Sequence, residues 1–458
     1  MTRKNHYYIL SLGCAKNTVD SDGIAQILQR QGMRSVADPT QAEVLIINTC
    51  GFIGAAREES IRALRELIAL KQGRQMVIAA GCLAQYYGRE LALHAPGLDG
   101  IITTRRWMDM FDFVKRLRER KQPEPLYHLP IDATTVGADQ PGIRLASQQG
   151  ASAYLKIADG CRRPCAFCAI PKIKGAAVSR PMETIVAEAV QLQAMGIKEL
   201  ILIAQDTTDY GHDLGLKDGL AQLLERIVAA APEIPWLRIM YAYPGYVTPR
   251  LIETIAQHRQ ILPYLDIPLQ HGHRDVLRRM NRPANVEWVS DTLATLRAVI
   301  PDLAIRTTFI VGYPGETEAE FATLLQLIEE WQFDRVGAFL YSYEADTPSA
   351  ALPDHLLEEV KQERYERLMA RQQKISLAKN QAFIGKTLAI LVEGQGTGED
   401  EDGNETGEIF SLGRSYRDAP EIDGYVIVEG ELPVGEIVPV RITGATTYDL
   451  LADPGTGK

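Results

Sequence analysis

The stretch Tyr154-Leu155-Lys156-Ile157-Ala158-Asp159-Gly160-Cys161-Arg162-Arg163-Pro164-Cys165-Ala166-Phe167-Cys168 decides the fold. Its first five residues read as a strand, and Asp159-Gly160 as the turn that ends it. Three cysteines follow at CxxxCxxC spacing. They stand at a strand's carboxyl end, the edge where α/β barrels put their chemistry. Three thiolates converge there and the run stops short of a fourth. A structural zinc site closes its tetrahedron with four protein ligands. Iron–sulfur clusters are held by closely spaced thiolates, and three of them leave one iron open to a small molecule. A zinc knuckle and a disulfide cluster are the alternatives to that reading.

Outward from this run, strand and helix alternate from 151 to 350. The predicted strands are 154–158, 199–204, 236–241, 264–269, 305–311 and 336–341. Helices at 182–195, 286–299 and 318–331 separate them, and Asn285 is the predicted N-cap of the middle one. Six such units suit a partial, six-stranded TIM-like barrel with its active site at the top.

Residues 1–125 alternate in the same way, with apolar strands at 7–10, 44–47 and 76–80 and helices at 19–31, 56–71 and 83–93. Continuous apolar strands between helices imply an open parallel sheet. Cys14, Cys50 and Cys82 each lie just past one of those strands, at the edge where open sheets hold ligands. A single buried cysteine is ordinary core. Three at equivalent positions, on strands about 4.8 Å apart, are expected to meet on one object, as a second three-cysteine cluster.

The Pro- and Gly-spotted stretch 126–150 reads as a linker, and 351–382 as a polar connecting helix. Residues 383–454 change character: short β-like runs at 388–393, 425–428 and 437–442, broken by Gly and Asp, suggest a small all-β barrel. Of the 458 residues, those from Gln381 to Lys458 hold 15 Asp/Glu against 5 Lys/Arg, so this tail carries the whole net charge of −10. Nucleic-acid binders usually present a basic face. An acidic module repels phosphate and attracts a basic protein, and the plainer reading is a solvated acidic surface. No apolar run approaches the roughly 18 residues of a membrane span, and residues 1–6 lack a secretory hydrophobic region. A soluble protein of the reducing cytoplasm is expected, where clustered cysteines favour metal over disulfides.

The order of these blocks resembles the methylthiotransferases: a cluster-bearing N-terminal domain, a radical S-adenosylmethionine barrel and a terminal barrel of the TRAM type. The motifs that carry the resemblance are Ser11-Leu12-Gly13-Cys14-Ala15-Lys16-Asn17, Ile47-Asn48-Thr49-Cys50-Gly51-Phe52-Ile53, Ala80-Gly81-Cys82-Leu83, the 161–168 triplet with Ile170-Pro171, Ile267-Pro268-Leu269-Gln270-His271, and 311–317. The runs 50–60 and 413–424 resemble the branch that modifies a ribosomal protein, rather than the branch that modifies an adenosine in transfer RNA. Lys174 departs from the family, which often carries Arg there, and Lys loses the planar fork. Asp22 stands where Glu is frequent.

The resemblance implies two 4Fe–4S clusters and S-adenosyl-L-methionine. Cys161, Cys165 and Cys168 are the catalytic set, holding the cluster at which the cofactor yields a 5′-deoxyadenosyl radical. Cys14, Cys50 and Cys82 hold the auxiliary cluster that supplies sulfur, and a second S-adenosylmethionine supplies the methyl group. The product is a methylthiolated aspartate β-carbon on the basic small-subunit ribosomal protein S-twelve. Electrons come from a donor such as flavodoxin or ferredoxin. The terminal barrel is not expected to bind nucleic acid, and a monomer is the simplest state. Phe167, Tyr154, Gln205, Asp206, Gln270 and Arg306 are the candidate cofactor contacts; the alternative is a place in the core for Tyr154 and a structural hydrogen bond for Gln205, Asp206, Gln270 and Arg306.

Overall fold

The computed structural model describes residues 5–130, 139–399 and 405–455. The acidic loop around 400–403 lies outside them.

The N-terminal domain is a six-stranded parallel sheet. Its strands are β1 (His6–Ser11), β2 (Arg34–Ser35), β3 (Val44–Thr49), β4 (Met76–Gly81), β5 (Gly100–Ile102) and β6 (Leu126–His128), in the order β2-β1-β3-β4-β5-β6. The central strand β3 is buried throughout, as a strand covered on both faces must be. Helices α1 (Ala15–Arg30) and α5 (Met110–Glu119) cover one face; α2 (Gly54–Ala69), α3 (Cys82–Tyr87) and α4 (Leu91–His94) cover the other. The helix expected over 83–93 is broken in two, because Gly88 takes φ +54°, ψ −123°, backbone open to glycine alone.

The second domain carries β7 (Ala146–Gln149), β8 (Ser152–Lys156) and, beyond the short pair β9 (Ala158–Asp159) and β10 (Val178–Ser179), the strands β11 (Glu199–Ile203), β12 (Trp236–Ile239), β13 (Ile261–Asp266), β14 (Ala304–Val311) and β15 (Arg335–Leu340). They form one open sheet, β15-β14-β13-β12-β11-β8-β7, in which β8 to β15 run parallel and β7 antiparallel to β8. The expected six-stranded partial barrel is therefore present, with an antiparallel edge added. Two pieces of the expected linker belong to sheets: 126–128 as β6 and 146–149 as β7. The connecting helices are α6 (Ile170–Lys174), α7 (Met182–Ala194), α8 (Gly219–Ala230), α9 (Pro249–Gln257), α10 (Arg274–Arg279), α11 (Val286–Val299) and α12 (Glu318–Trp331). Asn285 caps α11 through its side chain, accepting the Trp288 N–H at 3.1 Å.

Strand alternation sorts the barrel residues. Leu200, Leu202, Ile305, Phe309 and Val311 pack against the helices. Tyr154, Ile201, Ile203, Met240 and Tyr264 turn inward and share one core with α1, α5 and Ala419.

The long helix α13 (Glu358–Gln381) leads to a closed five-stranded barrel of β16 (Thr387–Glu399), β17 (Glu405–Ser415), β18 (Val426–Glu429), β19 (Ile437–Ala445) and β20 (Leu450–Pro454). The end of β17 and the turn that follows it, from Arg414 to Asp423, close the floor of the large barrel. Arg414 and Arg238 both reach Glu199 at the start of β11, at 2.6 and 2.7 Å. Arg335 pairs with Asp418 at 2.6 Å, and Tyr264 donates to Asp423 at 2.7 Å. Burial alone would raise the Glu199 carboxyl, but the two guanidiniums hold it down at about 2. Among the described residues, no helix is long and apolar enough to cross a membrane.

Candidate active site

Sheet register lines up the first cysteine set. Ser11 pairs with Asn48, and Thr49 with Gly81, so three strands end level and the cysteines that follow them gather. Cys14 is exposed, Cys50 half-buried and Cys82 buried. A Cβ on Gly13 (φ +90°) would fall 2.8 Å from the Cβ of Cys50 and 3.0 Å from its Sγ. Only glycine lets the two loops approach that closely. Asn17 ties the loops together: its amide donates to Leu12 O at 2.8 Å and Thr49 O at 3.1 Å, and its Oδ1 faces Cys82 Sγ at 3.8 Å.

The second set sits on the loop between β9 and α6. Gly160 (φ +77°) turns the chain, and Cys161 N donates to Gly175 O at 3.0 Å, closing the loop at its base. Arg163 is buried, bonded to Asp206 at 2.7 Å and Asp209 at 3.2 Å, with Tyr246 stacked at 3.6 Å and Tyr243 at 4.6 Å. Arg282 reaches Cys165 Sγ at 3.6 Å and stacks on Tyr243 at 4.0 Å. Phe167 packs beside Val276, Met280 and Tyr313.

All six cysteines are free thiols. Burial pushes the Cys82 and Cys168 thiols up to about 12 and Cys161 to about 11, and raises Cys50 as well. Such thiols are inert on their own and ionise in the company of a cation. Three sulfurs per site, with a glycine cradle at one of them, suit a thiolate-held cluster. Among the described residues, no group of three His, Cys, Asp or Glu is drawn together tightly enough for a single metal ion.

One member of the first set reaches the second domain beside the triplet loop. Cys82 packs with Ala169 and Ile173, on the helix that follows Cys168. Asp20 of α1 accepts from Lys156 and, at 3.0 Å, from Lys174; both lysines also reach Asp159, at 3.1 and 3.2 Å. Burial opposes the charges of Asp159 and Lys174. Lys156 and Lys174 nonetheless hold Asp159 below the usual carboxylate range, while Asp159 and Asp20 keep Lys174 protonated. Glu344, beyond β15, adds a second tie by accepting from Arg57 and from Gly54 N at 3.1 Å.

The remaining candidate residues divide. Gln205 and Gln270 stand at strand ends. Gln205 donates to Asp159 at 2.8 Å, and Gln270 takes φ +76°. Tyr241, also past a strand end, takes φ +61°. Non-glycine residues rarely adopt this conformation, and such strain gathers at functional sites. Asp206 serves the triplet loop through Arg163 rather than facing outward. Tyr154 and Arg306 lie deeper in the barrel. Tyr154 is buried in the lumen core. Arg306 is the third residue of an eight-residue strand, not its end, and it pairs with Asp266 at 3.0 Å and with Asp423 of the floor segment at 3.4 Å. Asp20, Lys156, Arg163, Tyr241 and Arg282 were missed by sequence reasoning. Each is a lone polar or aromatic residue whose partner lies far along the chain, so no spacing marks it.

A partial barrel with an open triplet of thiols at its top defines a radical S-adenosylmethionine enzyme. Family models agree: residues 155–328 match the Radical SAM superfamily, 6–103 the Uncharacterized protein family UPF0004, and 384–454 the TRAM domain. Proteins named ribosomal protein uS12 methylthiotransferase RimO are similar over nearly the whole chain. The one from Chloroflexus aurantiacus is 47% identical, covering 97% of this chain and 98% of its own. That of Roseiflexus sp. is 46% identical (97% and 96%), and that of Synechocystis sp. 43% (96% and 95%). The chain belongs to the RimO family of radical S-adenosylmethionine methylthiotransferases. It is thus an enzyme that transfers a methylthio group, working with an iron–sulfur cluster and S-adenosylmethionine. Among solved structures, the radical S-adenosylmethionine methyltransferase TsrM of Kitasatospora setae shares the fold at 13% identity, with a TM-score of 0.56 over 88% of this chain and 84% of that one.

Proposed function

We propose that this chain methylthiolates the β-carbon of an aspartate in small-subunit ribosomal protein uS12, using two 4Fe–4S clusters. Cys161, Cys165 and Cys168 hold the radical-generating cluster, and Cys14, Cys50 and Cys82 the auxiliary one. The observation that carries the reading is the packing of Cys82 against Ala169 and Ile173, which brings the two thiol sets to one seam. Family membership supports the substrate.

When bound, S-adenosylmethionine supplies a 5′-deoxyadenosyl radical for C–H cleavage and a methyl group, and the auxiliary cluster supplies sulfur. The chain's own residues orient and insulate these groups. Arg163, held by Asp206 and Asp209 between two tyrosines, stiffens the triplet loop. Arg282 aims an N–H at Cys165 Sγ. Phe167 shields the triplet, and Gln205 and Gln270 line the cofactor cleft. The glycine at 13 and the amide of Asn17 keep the auxiliary loops together. The working enzyme is a cytoplasmic monomer fed by a flavodoxin- or ferredoxin-type donor. Residues 1–125, 151–350 and 383–454 act as auxiliary-cluster, radical and terminal domains.

The test has two arms. Anaerobic reconstitution should load about eight irons per chain, the content of two 4Fe–4S clusters. Mass spectrometry of uS12 and of transfer RNA from a deletion strain should show the methylthio group missing from the protein alone. Loss from transfer RNA with uS12 unchanged would reverse the substrate assignment.

A further inference from the structure

Three buried lysines lie at the seam, and one of them has no carboxylate partner among the described residues. Lys156 and Lys174 share Asp20 and Asp159. Lys16, two residues after Cys14, is 9% exposed. Among the described residues its Nζ has a single polar contact, Ala204 O at 3.4 Å, and it lies 3.3 Å above the centroid of the Tyr241 ring. An ammonium has three donors, and a buried charge is stable only when paired. No carboxylate of the described residues ion-pairs with it. The nearby barrel carboxylate, Asp266, is already taken by Arg306 at 3.0 Å and by Tyr241 N at 3.3 Å.

Two further observations place a ligand here. The side-chain carbonyl of Gln205, the residue after Ala204, is buried without a partner. Tyr241, which supplies the face beneath the ammonium, holds the left-handed backbone noted above. A cation without a carboxylate partner therefore stands over a strained aromatic, between the auxiliary loop of Cys14 and the ends of β11 and β12, one residue from a buried carbonyl that also lacks a partner.

We infer that Lys16 binds the side-chain carboxylate of the substrate aspartate. The inference rests on the proposed uS12 reading, in which the reacting carbon bears that carboxylate. A cation fixing the carboxylate fixes the neighbouring carbon to within one bond. Lys16 then presents that carbon beside the Cys14 loop, and the enzyme selects aspartate over its uncharged isostere because only the charged side chain neutralises the buried ammonium.

The test uses reconstituted holoenzyme and two forms of uS12, with the target aspartate intact or replaced by asparagine. Binding is measured by fluorescence anisotropy and turnover by mass spectrometry. Wild-type enzyme should bind the aspartate form at least about tenfold more tightly, the scale of one charge-assisted contact. Lys16→Met, with iron content equal to wild type, should bring the two forms within about twofold and raise KM for the aspartate form. Lys16→Arg should recover part of the preference. A Lys16→Met enzyme that keeps the full preference overturns the inference, as does a change confined to the KM for S-adenosylmethionine. If Lys16→Met does not load iron, Lys16→Arg and the wild-type comparison decide: wild-type enzyme that modifies uS12 but binds both forms equally overturns it. Wild-type enzyme that leaves intact uS12 unmodified refutes the underlying functional reading instead.

Discussion

At Gly13 the backbone and the space around it both exclude a side chain, since φ is +90° and a Cβ would press on Cys50. Gly13→Ala is therefore expected to spread the auxiliary loops and spare the triplet loop. Iron per chain should fall by about half, while cleavage of S-adenosylmethionine to 5′-deoxyadenosine continues. Full iron content in this variant would show that the loops tolerate the methyl group. Asp20 is the converse case, a residue that matters for its charge. Removing it as Asp20→Ala leaves two buried ammonium groups sharing Asp159 alone. Breaking a buried pair in this way costs about 3–5 kcal/mol, to be read as a drop in the urea midpoint. The placement of the cysteines and of Gln270 past strand ends was legible in the sequence, because apolar runs and short spacings mark it. Asp20 was not, since its partners are 136 and 154 residues away.

Among the elements, the floor segment from the end of β17 does the joining. Arg414 is 1% exposed and serves Glu199, Glu393 and the Ser152 hydroxyl together. Arg414→Ala strands Glu199 with Arg238 as its remaining cation. We expect a loss of about 3–5 kcal/mol and faster proteolysis after α13, where the terminal module would swing free. A protease pattern identical to wild type would show that the module docks by other means. Two strands of that module, β17 and β20, escaped sequence reasoning. The run Glu405–Ser415 mixes Gly, Ser and Glu with few apolar residues, because a barrel this small buries only part of each strand. The core strands β3, β4 and β11 were plain, since burial on both faces writes a run of consecutive apolar residues.

Across the whole molecule, ion pairs at domain seams make stability depend on pH in a direction the carboxylates set. Glu199 titrates at about 2 in the folded chain against an ordinary 4.5. A depressed carboxylate stabilises fully above its unfolded pKa and loses that contribution as pH falls through its folded one. The urea midpoint should thus show no Glu199 contribution to pH dependence above about 4.5, and should fall between there and pH 2 as the floor segment loosens. A midpoint flat to pH 2 would mean that the floor carries no net electrostatic stability. The three-part architecture was legible from composition and strand–helix rhythm, but the manner of joining was not, because seams are made by single residues without a pattern.

The plugged lower end of the barrel restricts access. Tyr154, Ile201, Tyr264 and Ala419 fill the lumen of the barrel, so nothing passes to the thiols through its floor. On the reading proposed above, the cofactor and the protein substrate therefore reach the thiols from the opposite, open face of the barrel.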